Sequence, residues 1–280
     1  MAELKLSAFS DEYADGFTEQ LAGMRGFGID RIELRHADKK NVSVLNEKEV
    51  AEIKAKLDFY GVGVSAIGSP LGKIPLDGDR KAHLETARRV METANVLGAK
   101  YVRIFSFYAP KGKDVTAMRG EVFDALERLV LLARAHGVTL CHENEASIYG
   151  DIPARCTEIT DYFGGEMKCV FDMGNFVLEQ VDPCEAYARM QKDIAYFHIK
   201  DALRAGAIVP PGKGEARIAD ILAAHQRYAS EDFFVSLEPH LQLFSGLNAL
   251  VGRAFENPYQ YQDAASAFAD AVEKFKEIMA

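Results

Sequence analysis

One alternation runs the length of the chain: a short β-type run, a polar turn, then a segment whose apolar residues return at helical spacing. Strands are predicted to start near Leu4, Arg31, Gly63, Lys100, Val138, Lys168, Ile194 and Asp232. Helices are predicted over roughly 15–27, 47–59, 79–98, 115–135, 152–163, 183–191, 216–228 and 260–279. In the third of these, Leu84, Ala87, Val90, Met91, Ala94 and Leu97 share one stripe, and Gly98 supplies the stop. Eight βα pairs in 280 residues predict an α/β chain folded as a single-domain (β/α)8 TIM barrel, an architecture of about 250 residues. The competitor is an open doubly wound sheet, but no GxGxxG turn follows the first strand. With no Pro/Gly-rich linker or composition shift, one domain is expected over 1–280, with an irregular excursion at about 239–261 and a C-terminal helix.

A barrel of this kind places its chemistry at the carboxyl ends of the strands, where the βα loops surround an open mouth. The stretch GVTLCHENEASIYGD, residues 137–151, is therefore informative, because a buried-looking strand ends in acids. Alternate residues of a strand share a face, so Glu143 follows Thr139 and Cys141 inward while His142 points the other way. By the same parity Asp172 ends KCVFDMGN in register with Val170, and His198 ends IAYFHIKD in register with Ile194 and Tyr196. Glu238 ends FFVSLEPH in register with Phe234 and Ser236. Singly, each has an ordinary explanation as a solvated acid, a turn cap or a satisfied core histidine. Four consecutive strands ending this way instead predict a metal site of Glu143, Asp172, His198 and Glu238, because three converging carboxylates repel without a cation. Oxygen-rich donors favour one Mn, Mg or Co ion, with Zn still compatible.

Composition narrows the partners. The 42 acidic and 33 basic residues leave a formal charge of −9, so no broad basic face is available for a nucleic-acid backbone. No apolar run approaches the roughly 20 residues of a membrane span, and MAELKLSAFSDEY lacks the basic and apolar segments of a signal peptide. A cytoplasmic protein with no membrane partner is expected, and homo-oligomerisation is left open. Cys141, Cys156, Cys169 and Cys184 show no CxxC spacing and are read as buried free thiols.

The runs LCHENE, FDMGNF, HIKDA and SLEPH, with the early SDEY and the segment GSPLGKIPLDGD, resemble the sugar phosphate isomerase/epimerase family of xylose-isomerase-like TIM barrels, from about Leu6 to His240. The resemblance implies the same four metal ligands, Glu143, Asp172, His198 and Glu238. It implies further that, as in the keto-sugar epimerase branch, the two glutamates exchange protons with substrate and that Arg204 contacts it. The sequence departs from that branch at Asn175, where the branch carries histidine. The family's relatives include isomerases, epimerases, dehydratases and lyases. A related abasic-site endonuclease would gather several zincs with many histidines, whereas this acidic chain has 7 histidines.

Chemistry leads to the same class by another route. A divalent cation that holds a carbonyl and its neighbouring hydroxyl acidifies the carbon beside the carbonyl by stabilising an enediolate. The expected function is thus a divalent-metal-dependent isomerase or epimerase of a sugar, keto-sugar or related polyol, with Glu143 and Glu238 as the catalytic base and acid. Glu145 is the alternative base. Two other readings stay open: a metal-dependent lyase or dehydratase acting on a keto-sugar or inositol derivative, and a non-catalytic sugar-binding barrel. Candidate substrate-binding residues are Asn175, Lys200, Arg204 and His240. The alternative for Lys200 and Arg204 is an ion pair with Asp201 or Glu215. SPLGK and PPGKGE could meet an anion, although such turns are more often plain turns, and an ion pair of Glu33 with Arg103 is a further possibility.

Overall fold

In the computed structural model, which describes residues 2–241 and 258–280, all eight expected strands form. They are β1 Leu4–Ala8, β2 Arg31–Leu34, β3 Gly63–Ile67, β4 Tyr101–Ile104, β5 Thr139–Glu143, β6 Met167–Asp172, β7 Ile194–Ile199 and β8 Phe233–Leu237. Every pairing between them is parallel, in the order β1-β8-β7-β6-β5-β4-β3-β2. The two end strands of that order, β1 and β2, meet across the remaining seam, where Ser7 Oγ donates to Arg31 O at 3.4 Å. The expected (β/α)8 TIM barrel is therefore what the chain forms.

The main helices are α1 Phe17–Gly26, α2 Glu47–Tyr60, α3 Arg80–Leu97, α4 Arg119–His136, α5 Pro153–Phe163, α6 Met173–Leu178, α7 Pro183–Met190, α8 Ile218–Tyr228 and α9 Ala264–Met279. Their limits follow local chemistry. Asp79 caps α3 by accepting from the Ala82 amide at 2.9 Å, and Gly98 ends it at φ 72°, where a Cβ would be strained. Ala87, Val90, Met91, Ala94 and Leu97 line its buried face, as the sequence stripe predicts.

Departures from expectation are local. α6 lies inside what reads in sequence as a strand-end motif; Asp172 Oδ1 accepts from the Asn175 amide at 2.8 Å and so caps it. α8 starts at Ile218, within two residues of the expected 216, after a loop tied to Asp201, whose carboxylate accepts from the amides of Ala202, Gly212, Gly214 and Ala216. PPGKGE thus spends the Gly212 and Gly214 amides on the protein's own acid, which removes the anion-binding reading of that turn. Cys184 is partly exposed, whereas Cys141, Cys156 and Cys169 are buried; all four are free. The excursion expected at about 239–261 lies mainly outside the described residues.

The bore of the barrel has two storeys. Ala66, Cys141, Val170, Tyr196 and Phe234 form an apolar cluster, with Tyr101 packed against it, and Tyr196 stacks on Phe234 at 4.4 Å between centroids. Further along the strands, toward their carboxyl ends, the same inward parity brings up Glu143, Asp172 and His198, each two residues on, and Glu238, four residues beyond Phe234. Among the described residues no helix is long and apolar enough to cross a membrane.

Candidate metal centre

Strand register brings the acids and the imidazole together. Asp172 of β6 pairs with His198 of β7, which in turn pairs with Ser236 of β8, two residues before Glu238. His198 is fully buried. Its Nδ1 lies 3.2 Å from Glu143 Oε1, 3.2 Å from Glu238 Oε2 and 3.9 Å from Asp172 Oδ2. One donor atom from each of these four residues lies within 4.8 Å of the others. Metal–ligand bonds of about 2.0–2.2 Å put opposite donors a little over 4 Å apart, so the cluster fits one ion after slight contraction.

The charge balance fits it as well. Six buried carboxylates, Asp11, Glu12, Glu33, Glu143, Asp172 and Glu238, gather at this end of the bore with three buried cations, Arg35, Arg103 and Lys200. Arg35 Nε and Nη2 donate to Asp11 at 2.8 and 3.1 Å, Nη2 also reaches Glu12 at 3.1 Å, and Nη1 reaches Glu238 at 2.9 Å. Arg103 Nη1 lies 3.1 Å from Glu143 and 3.6 Å from Glu238. Lys200 Nζ lies 2.7 Å from Asp172 Oδ2, 3.2 Å from Glu238 Oε2 and 3.1 Å from Asn175 Oδ1. Carboxyl groups still outnumber the cations, six to four once the His198 imidazolium is counted, and a divalent cation would offset the difference.

Protonation reflects the same crowding. Burial alone would raise Glu143, but His198 and Arg103 outweigh it and hold the carboxyl down at about 2. Asp172 is pushed up to about 6 by burial, with Lys200 pulling against it. Glu12 is pushed up to about 8 by burial, only partly offset by Arg35, so it is largely neutral at pH 7. His198 is raised despite its burial, because Glu143, Glu33 and Glu238 surround it.

The other sequence candidates divide. Lys200 and Asn175 sit against Asp172 within the cluster, so Lys200 forms its ion pair with Asp172 rather than with Asp201 or Glu215. Asn175 Nδ2 also donates to Asn144 O at 2.8 Å. His240, at φ 49°, is on the border of the cluster, with Nε2 3.3 Å from Glu12 and 3.6 Å from Glu238. Arg204 is not brought in: it lies in the turn between the short antiparallel strands Asp201–Ala202 and Ile208–Val209, its side chain is 39% exposed and its Nε lies 3.3 Å from Glu215. Glu145 is held by Lys73 at 2.9 Å, so that lysine of SPLGK is committed to an acid. The Glu33–Arg103 pair is replaced by other contacts: Glu33 accepts from Tyr196 Oη at 2.9 Å and lies 3.0 Å from His198 Nε2. His142 points away, with Nε2 3.0 Å from Ser106 Oγ. Asp11 and Glu12 escaped the sequence reasoning because they follow β1 in a single 3-10 turn, Ser10–Glu12, although SDEY is itself an acid pair just beyond a strand end.

The fold and the site define a (β/α)8 barrel with an acidic, single-histidine cluster at its mouth. The chain belongs to the xylose isomerase-like TIM barrel family, whose model matches residues 22–275. Among solved structures it is similar to a D-tagatose 3-epimerase-like protein, at 18% identity over 98% of both chains with a TM-score of 0.73. The IOLI protein, solved with a bound zinc atom, matches at 20% identity and TM-score 0.73, over 99% of this chain and 98% of that one. The probable 3-DHS dehydratase AsbF from Bacillus anthracis matches at 18% identity and TM-score 0.69, over 84% of this chain and 92% of that one. No curated protein matches the sequence.

Proposed function

We propose that the protein is a divalent-metal-dependent isomerase or epimerase that moves a proton beside the carbonyl of a sugar, keto-sugar or related polyol. The observation that carries this reading is the placement of two buried glutamates, Glu143 and Glu238, each 3.2 Å from the same imidazole nitrogen in a four-donor cluster. Glu143, Asp172, His198 and Glu238 would hold one ion, with Mn, Mg or Co favoured by the oxygen-rich donor set and Zn compatible. When bound, the ion would polarise a carbonyl and its neighbouring hydroxyl. Glu143, kept ionised by His198 and Arg103, is suited to take the carbon-bound proton, and Glu238 to return one. Lys200, which donates to Asp172 and to Asn175 Oδ1, offers an ammonium beside Asp172 that would orient substrate hydroxyls. Turnover in D₂O tests the route: deuterium at the carbon beside the carbonyl is expected, and product free of deuterium would show a hydride shift instead.

A second reading, dehydration of a keto-sugar or inositol derivative, draws support from the Lys200 ammonium between Asp172 and Glu238. There it could protonate a departing hydroxyl after the same first proton removal. A product lighter by one water decides for this reading.

Metal uptake is expected to depend on pH. Asp172, lifted to about 6, takes up a proton as the pH falls through that value, and His198, raised by its three acids, must lose a proton before Nδ1 can bind. Protons therefore compete with the ion. Affinity should weaken as pH falls through about 6, and metal binding above it should release protons, both measurable by titration calorimetry in buffers of different ionisation heat.

A further inference from the structure

His198 is gripped on both sides, and the side away from the cation site has no role in the chemistry described so far. Nδ1 faces Glu143, Glu238 and Asp172. Nε2 lies 3.0 Å from Glu33 Oε2, and Glu33 comes from β2, whose nearest ladder partner is β3 rather than β7. The other oxygen, Glu33 Oε1, accepts from Tyr196 Oη at 2.9 Å. Tyr196 stands two residues before His198 on the same inward face of β7, so one strand supplies both groups that hold the carboxylate. All three side chains are completely buried, and the apolar cluster of Ala66, Cys141, Val170 and Phe234 packs around the tyrosine. Hydrogen bonds in so dry a setting are strong, and an unmade one is costly.

We infer that Glu33, braced by Tyr196, is a positioning residue for His198, holding the imidazole with its proton on Nε2 and the Nδ1 lone pair directed at the cation site. This rests on the metal-site reading above. The chemical reason is that a carboxylate only accepts, so a ring nitrogen facing one carries a proton unless a cation replaces it: Nδ1 gives its proton up when an ion is held between it, Glu143 and Glu238, while Nε2, facing Glu33 alone, keeps its own. A neutral imidazole has one such proton, which leaves Nδ1 free to bind a cation. An amide in the same place would not impose that choice, because its NH₂ could donate to Nε2 and leave the proton on Nδ1. Outer partners of this type orient a ligating histidine and raise its basicity.

The test uses the full chain, wild type beside Glu33→Gln and Tyr196→Phe, each checked for native circular dichroism. Zn²⁺ and Mn²⁺ affinities are measured by competition with a chromophoric chelator, and nitrogen-15 NMR of histidine-labelled, Zn²⁺-loaded protein reads which ring nitrogen carries the proton. Glu33→Gln is expected to weaken binding by about 10–100-fold, and Tyr196→Phe by less. In the wild type the His198 proton should be on Nε2. Binding by folded Glu33→Gln within about twofold of wild type overturns the inference while leaving the metal site standing. If Glu33→Gln does not fold, a wild-type ring protonated on Nδ1 overturns it alone. A wild type that takes up neither ion removes the metal reading itself, and the role assigned to Glu33 with it.

Discussion

Glu143→Gln should reduce turnover by about 10³-fold, within the range lost when a positioned general base is removed. The substitution keeps the size of the side chain and replaces a carboxylate oxygen by an amide, so packing changes little and chemistry changes much. Glu143 Oε1 faces His198 Nδ1 and Oε2 faces Arg103 at 3.1 Å. The neutral amide removes the negative charge that both groups meet, leaving Arg103 with Glu238 at 3.6 Å as its remaining contact of this kind in the centre. Metal content should fall in parallel. Turnover and bound metal, measured on the same purified preparation by steady-state assay and elemental analysis, check both effects. Wild-type turnover with metal still bound would exclude Glu143 as base and ligand together, and would redirect attention to Glu145.

Arg35→Met is expected to cost at least about 4 kcal/mol of stability, in the range for removing one partner of a buried charge network. The guanidinium binds Asp11 through two nitrogens and also meets Glu12 and Glu238, and it lies over the Phe9 ring at 4.3 Å. Methionine can keep the ring contact but leaves the Asp11 and Glu238 carboxylates without their shared cation, and Glu12, largely neutral at pH 7, without the Arg35 donor. The sign of the pH dependence follows. In the variant these acids should have higher folded-state pKa values than in the wild type, so their penalty is greatest at neutral and higher pH and shrinks as the pH falls and they take up protons. Urea unfolding at pH 5 and pH 8 checks this: the gap between variant and wild type should be the larger at pH 8. An equal gap at both would show that the loss comes from packing.

Much of the centre was legible because it depends on period two. Glu143, Asp172, His198 and Glu238 each stand at a strand end, and side-chain alternation alone assigns them to the interior once the barrel is inferred. The same argument assigned His142 to the other face. Asn175 and Lys200 were legible for a related reason, one lying in the turn after Asp172 and the other sharing parity with His198. Arg204 was assigned to the site by the family resemblance, and the turn that carries it directs it outward to Glu215. Spacing along a chain does not specify the direction a loop takes.

What the sequence by itself determined is the alternation of strands and helices, the barrel, and the acids and imidazole directed into its mouth. These follow from local periodicity, which each segment carries independently of the rest. What only the tertiary structure decided is which buried groups share a charge: Arg35 with Asp11, Glu12 and Glu238, Glu33 with Tyr196 and His198, and Lys200 with Asp172. These partners are up to 203 residues apart in the chain. They meet because closing the barrel brings strands from its two halves around one narrow bore, where an unpaired charge is too costly to leave.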